Sequence, residues 1–191
     1  DNHIGLGQAL QFRGDFGGAA AEYKQAIQLS KGNNPVAQKL LAALPDLIKK
    51  ATIDKHINNA ADLITKKLYV PALEELKLAL AQAPNNPDIW VNMGICYQQQ
   101  EEYQKAIDSY QKALQLDPRN SAAAEGFKAC TQSLQDKMIA QSEGAAGDAY
   151  KQGKYDEAVK LYTALVTKDP KNAAYYYNRG AAEQMLKQFD Q

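Results

Sequence analysis

Between Asp88 and Asn120 the apolar positions fall at helical intervals and are interrupted once. Trp90, Met93, Gly94 and Tyr97 stand three and four residues apart, "QQQEE" intervenes, and Tyr103, Ala106, Ile107, Tyr110, Ala113 and Leu114 form a second stripe. Separations of three and four put side chains on one face of an α-helix, so the stretch predicts two helices joined by a tight turn. "DPRN" after Leu116 and "APNNP" after Gln82 bound this hairpin. Pro fixes φ and lacks a donor, and the Asn-Pro and Asp-Pro steps favour a break before a new helix. No stretch sustains the apolar-polar alternation of a strand, and the β-branched residues are scattered, so the fold class is all-α.

The same stripe recurs along the chain. Tyr69, Ala72, Leu76, Ala79 and Pro84 return 34 residues later as Tyr103, Ala106, Tyr110, Ala113 and Pro118, and after a further 52 as Tyr155, Ala158, Tyr162, Leu165 and Pro170. An earlier copy, Phe16, Ala19, Tyr23 and Ala26, stands 53 residues before the first of these. The spacings of 52 and 53 exceed 34 by about one helix and a turn. The spacers read as helices: "SAAAEGFKACTQSLQDKM", Ser121 to Met138, spaces Phe127, Cys130 and Leu134 by three and four. "NPVAQKLLAALPDLIKK" has Pro35 at a helix-starting position but also Pro45 inside, so that helix is expected to kink or stop near Leu44. The expected organisation is a first hairpin at 1–34, an unpaired helix at about 35–52, two contiguous hairpins at 53–120, an unpaired or capping helix at 121–138, and at 139–191 a hairpin plus the first helix of another. Because that last copy stops where its second helix should begin, the parent protein is expected to continue beyond Gln191.

Gly inside an exposed helix costs roughly 1 kcal/mol relative to Ala, so Gly94 calls for an offsetting gain, which a closely approaching neighbour helix would give. The same reasoning covers Gly7 and Gly180, and the small Ala19, Ala72, Ala106 and Ala158 on the second helices. Large residues, Trp90, Tyr97 and Tyr110, are expected to fill the space around the crossing.

The order Trp90, Met93-Gly94, Tyr97, Ala106, Tyr110, Ala113, Pro118 resembles the tetratricopeptide repeat, a two-helix unit of 34 residues. The other copies depart from it at single points: Ala60 and Ala146 stand where Gly is usual, and Leu165 where Ala is. The resemblance implies a right-handed superhelix of stacked hairpins whose concave face, lined by the first helices, holds a peptide or a segment of a partner protein. Carried over by repeat position, that face would present Asp54, Ile57, Asn58, Ala61 and Ile64 from one repeat and Asp88, Val91, Asn92, Ile95 and Gln98 from the next. Glu125, Ala129 and Gln132 would follow, then Glu143, Gly147 and Tyr150, and finally Tyr177, Asn178, Ala181 and Gln184. Asp54, Asp88, Glu125 and Glu143 against Lys151 alone imply a neutral or basic partner.

One subfamily, the chaperone-binding repeats, grips a terminal carboxylate with Lys, Asn and Arg. "YYYNRGAA" with Asn178 is similar to its second repeat, but Glu143 and Gly147 stand where Lys and Asn would be needed. An anion facing Glu143 would be repelled, which weighs against carboxylate capture. Among Tyr175, Tyr176 and Tyr177, Tyr176 takes the position of Trp90 and is read as core, while Tyr177, beside Asn178, is balanced between surface cover and a ligand groove.

Composition narrows the function further. Lys plus Arg and Asp plus Glu each total 22 in 191 residues, so no overall field draws the chain to nucleic acid or an anionic membrane. No run approaches a membrane span. The first residue is Asp and not Met, which leaves a removed upstream segment, and with it the compartment, open. Cys96 and Cys130 read as small core residues, and His3 and His56 are too isolated for a zinc site. No phosphate loop, paired-Cys motif or nucleophile with its base is present, so neither catalysis, metal nor cofactor is expected. The sequence therefore points to a non-enzymatic protein-interaction scaffold. The alternatives are a self-associating structural protein, or a regulatory region attached to a catalytic domain elsewhere.

Overall fold

The computed structural model describes residues 2–189, and the described residues form helices and short turns without a strand. In chain order these are α1 (Asn2–Phe12), α2 (Phe16–Leu29), α3 (Pro35–Thr65), α4 (Tyr69–Gln82), α5 (Pro87–Gln99), α6 (Tyr103–Leu116), α7 (Ser121–Lys151), α8 (Tyr155–Lys168) and α9 (Ala173–Phe189). They divide into two compact units, one up to Ala124 and one from Glu125.

Helix starts follow the turn chemistry of the sequence. The Asn34 side chain accepts from the Ala37 amide at 3.0 Å, and Asn120 does the same for Ala123 at 2.9 Å. Asn86 and Asn172 accept from Asp88 and Ala174 at 2.9 and 3.1 Å. Each bond satisfies an amide that the first turn would otherwise leave unpaired. The turns inside the hairpins share one device. Gly14, Lys67, Glu101 and Gly153 all have positive φ, between 57° and 81°, and they stand at equivalent points of the four copies. The residue after each donates to a carbonyl five residues back: Asp15 to Leu10, Leu68 to Leu63, Glu102 to Tyr97 and Lys154 to Ala149, at 2.9–3.0 Å. This left-handed cap closes the first helix and aims the chain back along it. Two copies use Gly there; Lys67 and Glu101 accept the left-handed strain.

In the first unit each helix packs on the next in chain order, and α3 also touches α5. The crossings match the expectation at two of three glycines. A Cβ on Gly7 would lie 2.5 Å from the Tyr23 ring, and one on Gly94 would lie 2.6 Å from the Tyr110 ring; both tyrosines are buried. Gly180 is different: among the described residues a Cβ there would meet nothing within 4 Å, so they show no close approach at this glycine. The large core residue of α5 is also not the one expected. Ile89 is fully buried, whereas Trp90 is half-buried and donates its indole N–H to the Pro84 carbonyl at 3.2 Å. The equivalent pair in α9 repeats this: Tyr175 is buried and Tyr176 is exposed, beside Arg179. Tyr176 is therefore not a core residue. The position one earlier points at the partner helix, and the wide indole or phenol of the next covers its edge.

The spacers are helical but not separate elements. α3 runs unbroken for 31 residues through Pro45, so the stop expected near Leu44 does not occur. Pro45 is exposed while Leu44 is buried against Ala19 and Tyr23, with Leu40, Leu41 and Leu47 alongside. A helix-interior proline costs about 3 kcal/mol, and on the exposed side water can replace the missing donor. Burial of a leucine contributes roughly 1.5–3 kcal/mol, so this row outweighs the break. The second half of α3, with Ile53, Ile57, Ala60 and Ile64, then packs on α4 through Ala72 and Leu76. One helix thus covers the first hairpin and begins the second. α7 likewise spans 31 residues and merges the second spacer with the first helix of the next hairpin. Its end, Ala146 and Ala149, packs with Ala158, Tyr162 and Leu165 of α8 and with Tyr175 and Ala182 of α9.

Candidate partner-binding site

The arrangement of the second unit depends on how its buried tyrosine differs from those of the first. In the first unit the Tyr23 hydroxyl donates to Gln11 at 2.9 Å and the Tyr110 hydroxyl to Gln98 at 2.8 Å. Each glutamine lies four residues after the glycine that admits the ring. In α7 the two positions hold Ala146 and Tyr150. The methyl group of Ala146 occupies the space into which the other rings press, and Tyr150 replaces the glutamine acceptor. Tyr162 stays buried, at 7% exposure, but its hydroxyl lies 4.0 Å from where a Cβ on Gly147 would be. No hydrogen-bond partner for it is found among the described residues.

That hydroxyl opens onto a cleft of about 310 Å³ between α7, α8 and α9. Tyr150, Tyr177 and Asn178 line it with Tyr162, the small Gly147 and Ala181 leave room, and Lys151 lies at the same wall. Tyr177 is 77% exposed, and the Tyr150 ring is steadied edge-on by Tyr155, with centroids 5.4 Å apart. Burial pushes the Tyr162 hydroxyl up from its ordinary pKa, and Tyr150 and Glu143 add to this. It therefore remains a protonated donor at neutral pH. Lys151 reaches only to Asp148, at 3.8 Å.

Of the residues expected on the concave face, the structure brings Gly147, Tyr150, Tyr177, Asn178 and Ala181 around this one cleft. Glu143 is otherwise engaged: the buried Tyr175 donates its hydroxyl to the Glu143 carboxylate, which raises the Tyr175 pKa. Glu125, Ala129, Gln132 and Gln184 are exposed on α7 and α9. In the first unit Asp54, Asn58, Ala61 and Asp88 are exposed. Ile57 and Ile64 pack on the core, Val91, Asn92 and Ile95 are half-buried, and Gln98 is spent on Tyr110. Tyr162 was not among the expected site residues. The signal for it is the joint change of glycine to Ala146 and of glutamine to Tyr150 when the copies are laid over one another.

Neither cysteine offers a nucleophile. Both are free and buried, with burial pushing Cys96 up to about 11 and Cys130 in the same direction; a thiolate is scarce at neutral pH in such surroundings. Among the described residues no group of three His, Cys, Asp or Glu side chains could hold a metal, and no helix is long and apolar enough to cross a membrane.

A family profile described as "Tetratricopeptide repeat" matches residues 87–120, and one described as "TPR repeat" matches residues 147–186. The chain is similar to Superkiller complex protein 3 of Mus musculus, 34% identical over 71 residues, which are 37% of this chain and 4% of that protein. It is also similar to DnaJ homolog subfamily C member 7 of Mus musculus, 28% identical over 98% of this chain and 42% of that protein. These curated relatives are much longer, and the chain spans under half of either. Among solved structures, the TPR2AB domain of yeast Sti1 in its pHSP90 complex covers all of this chain and 72% of its own, at 19% identity and a TM-score of 0.47. The two profile matches, on hairpins whose alanine positions recur through the chain, show that this chain carries tetratricopeptide repeats.

Proposed function

We propose that this chain is a non-enzymatic scaffold that holds an extended segment of another protein in the cleft between α7, α8 and α9. The observation that carries the reading is the meeting of Tyr150, Tyr162, Tyr177 and Asn178 around one open cleft, with Tyr177 largely solvent-facing. Tyrosine gives large contact area with few rotors and one polar tip, which suits a binding surface more than a core. The cleft is too small for a packed domain and wide enough for a few side chains of an extended chain. The charge balance favours a neutral segment. Glu143, one of the four acidic groups expected to favour a neutral or basic partner, is bound to Tyr175, and Lys151 is the charged residue on the wall.

The test is affinity capture with the chain as bait, in parallel with a Tyr177→Ala plus Asn178→Ala variant and an Asp54→Ala plus Asn58→Ala variant. Asp54, Asn58 and Tyr177 are exposed and Asn178 is only half-buried, so folding should be preserved. A captured protein is expected to be lost with the first variant and kept with the second. Undiminished capture by the Tyr177 and Asn178 variant would remove the cleft from the function.

A further inference from the structure

Within that reading, the cleft holds a hydroxyl that its own hairpin leaves unused. Tyr162 is more than nine-tenths buried, and its hydroxyl has no acceptor among the described residues, whereas its repeat equivalents Tyr23 and Tyr110 each have a glutamine. Because the hydroxyl opens onto the cleft, water can reach it in the free protein, and an occupant that brings an acceptor takes the place of that water. Asn178 adds a second donor, and its own carboxamide oxygen as an acceptor, on the same wall. The rings of Tyr150 and Tyr177 provide flat apolar faces, and Gly147 and Ala181 keep the space between them free of bulk. No carboxylate lines the cleft among the described residues, so a lysine or arginine side chain would find no counter-ion. Lys151 is already drawn toward Asp148.

An ordinary extended strand brings as many N–H groups as carbonyls and must place both. A proline-rich segment does not. Proline has no N–H, its ring stacks on aromatic faces, and the polyproline II helix makes no internal hydrogen bonds, so its carbonyls are open to outside donors. Being stiff before it binds, such a segment also loses less entropy on docking. We propose that the cleft takes a proline-containing extended segment of the partner, with prolines against Tyr150 and Tyr177 and a backbone carbonyl accepting from the Tyr162 hydroxyl. This rests on the cleft being the partner site.

The experiment is fluorescence anisotropy with the 191-residue chain and a fluorescein-labelled Pro-Leu-Pro-Pro-Leu-Pro peptide. The same peptide with every Pro replaced by Ala, and one ending in acidic residues, serve as controls. Saturable binding of the proline peptide is expected, with the alanine version at least about tenfold weaker. Tyr162→Phe, which keeps the ring, should weaken binding about 3–10-fold, the effect of one net hydrogen bond. Tyr177→Ala, at an exposed position, should weaken it more. Absence of binding, equal binding of the alanine peptide, preference for the acidic one, or an unchanged affinity in Tyr162→Phe with wild-type circular dichroism would each overturn the proline assignment. If the proline peptide fails while capture still depends on Tyr177 and Asn178, only this assignment falls. If both fail, the cleft itself is not the partner site.

Discussion

The hairpins α5–α6 and α7–α8 share a backbone plan and differ in what they do with one tyrosine. In the first, Gly94 admits the Tyr110 ring at the helix crossing and Gln98 takes its hydroxyl, so every polar atom of the ring is used within the hairpin. In the second, Ala146 and Tyr150 take those two places, and the Tyr162 hydroxyl is released toward a cleft. The hairpin survives the exchange because Ala158 and Leu165 still bury against α7 and α9. Two side chains on the first helix therefore suffice to redirect this hydroxyl from the hairpin's own support to an open cleft, without changing the repeat's length or its turn.

The comparison can be broken most directly at the glycines. Gly94→Ala should drive a methyl group into the Tyr110 ring and cost about 1–3 kcal/mol of overpacking, of which ~1 kcal/mol is returned by helix propensity. Gly147→Ala, where the added group would meet the Tyr162 hydroxyl at an ordinary 4.0 Å, should keep the propensity gain and stabilise by about 0.5–1 kcal/mol. Urea midpoints moving the same way for both would mean that the two crossings are packed alike. A smaller effect separates the two hydroxyls. Tyr110→Phe should cost about 1 kcal/mol, because Gln98 loses its donor, while Tyr162→Phe should leave the thermal midpoint unchanged. Equal losses would show that Tyr162 is satisfied inside its own hairpin.

The smallest effect lies in the two opening hairpins, which carry a feature the later ones lack. His3 meets Glu22 and His56 meets Glu75, each at 2.7 Å and at equivalent repeat positions, which Trp90 and Ser109 occupy in the third copy. The hydrogen bond from His56, then that from Asn59, holds the Glu75 carboxyl below its ordinary value of 4.5. A depressed folded-state pKa adds stability above the unfolded value, and that contribution is lost as pH falls through the folded one. Glu75→Gln should therefore flatten the acid limb of the melting temperature below about pH 4.5 and change little at neutral pH. A parallel acid limb in wild type and variant would show the pair to be idle.

The repeat was legible because its marks are local. Alanine on each second helix recurs at fixed intervals, with glycine at the crossing in two copies and proline after the second helix in three, and each has a steric reason that survives any surrounding sequence. The continuity of α3 was not legible in this way. Pro45 argues for a break, and only the burial of Leu40, Leu41, Leu44 and Leu47 under α2, a tertiary effect, outweighs it. Tyr176 was misplaced for a related reason, since a stripe at helical spacing defines a face about 100° wide and does not say which of two neighbours, Tyr175 or Tyr176, points to its centre. Within the candidate site, Tyr150, Tyr177 and Asn178 follow from repeat position. Tyr162 does not, because the repeat pattern assigns it to the core and only its missing acceptor turns it outward.

The unbroken α3 sets a strict rule for how this chain can change length. A residue added in a loop is absorbed by the loop, but one added between Leu44 and Ile53 would turn everything downstream by about 100° and advance it by ~1.5 Å. Ile57, Ala60 and Ile64 would then swing away from α4 while Leu40 and Leu44 stayed seated on α2. Surviving insertions in this helix should come in multiples close to a whole number of turns, as in a camshaft whose lobes must keep their phase.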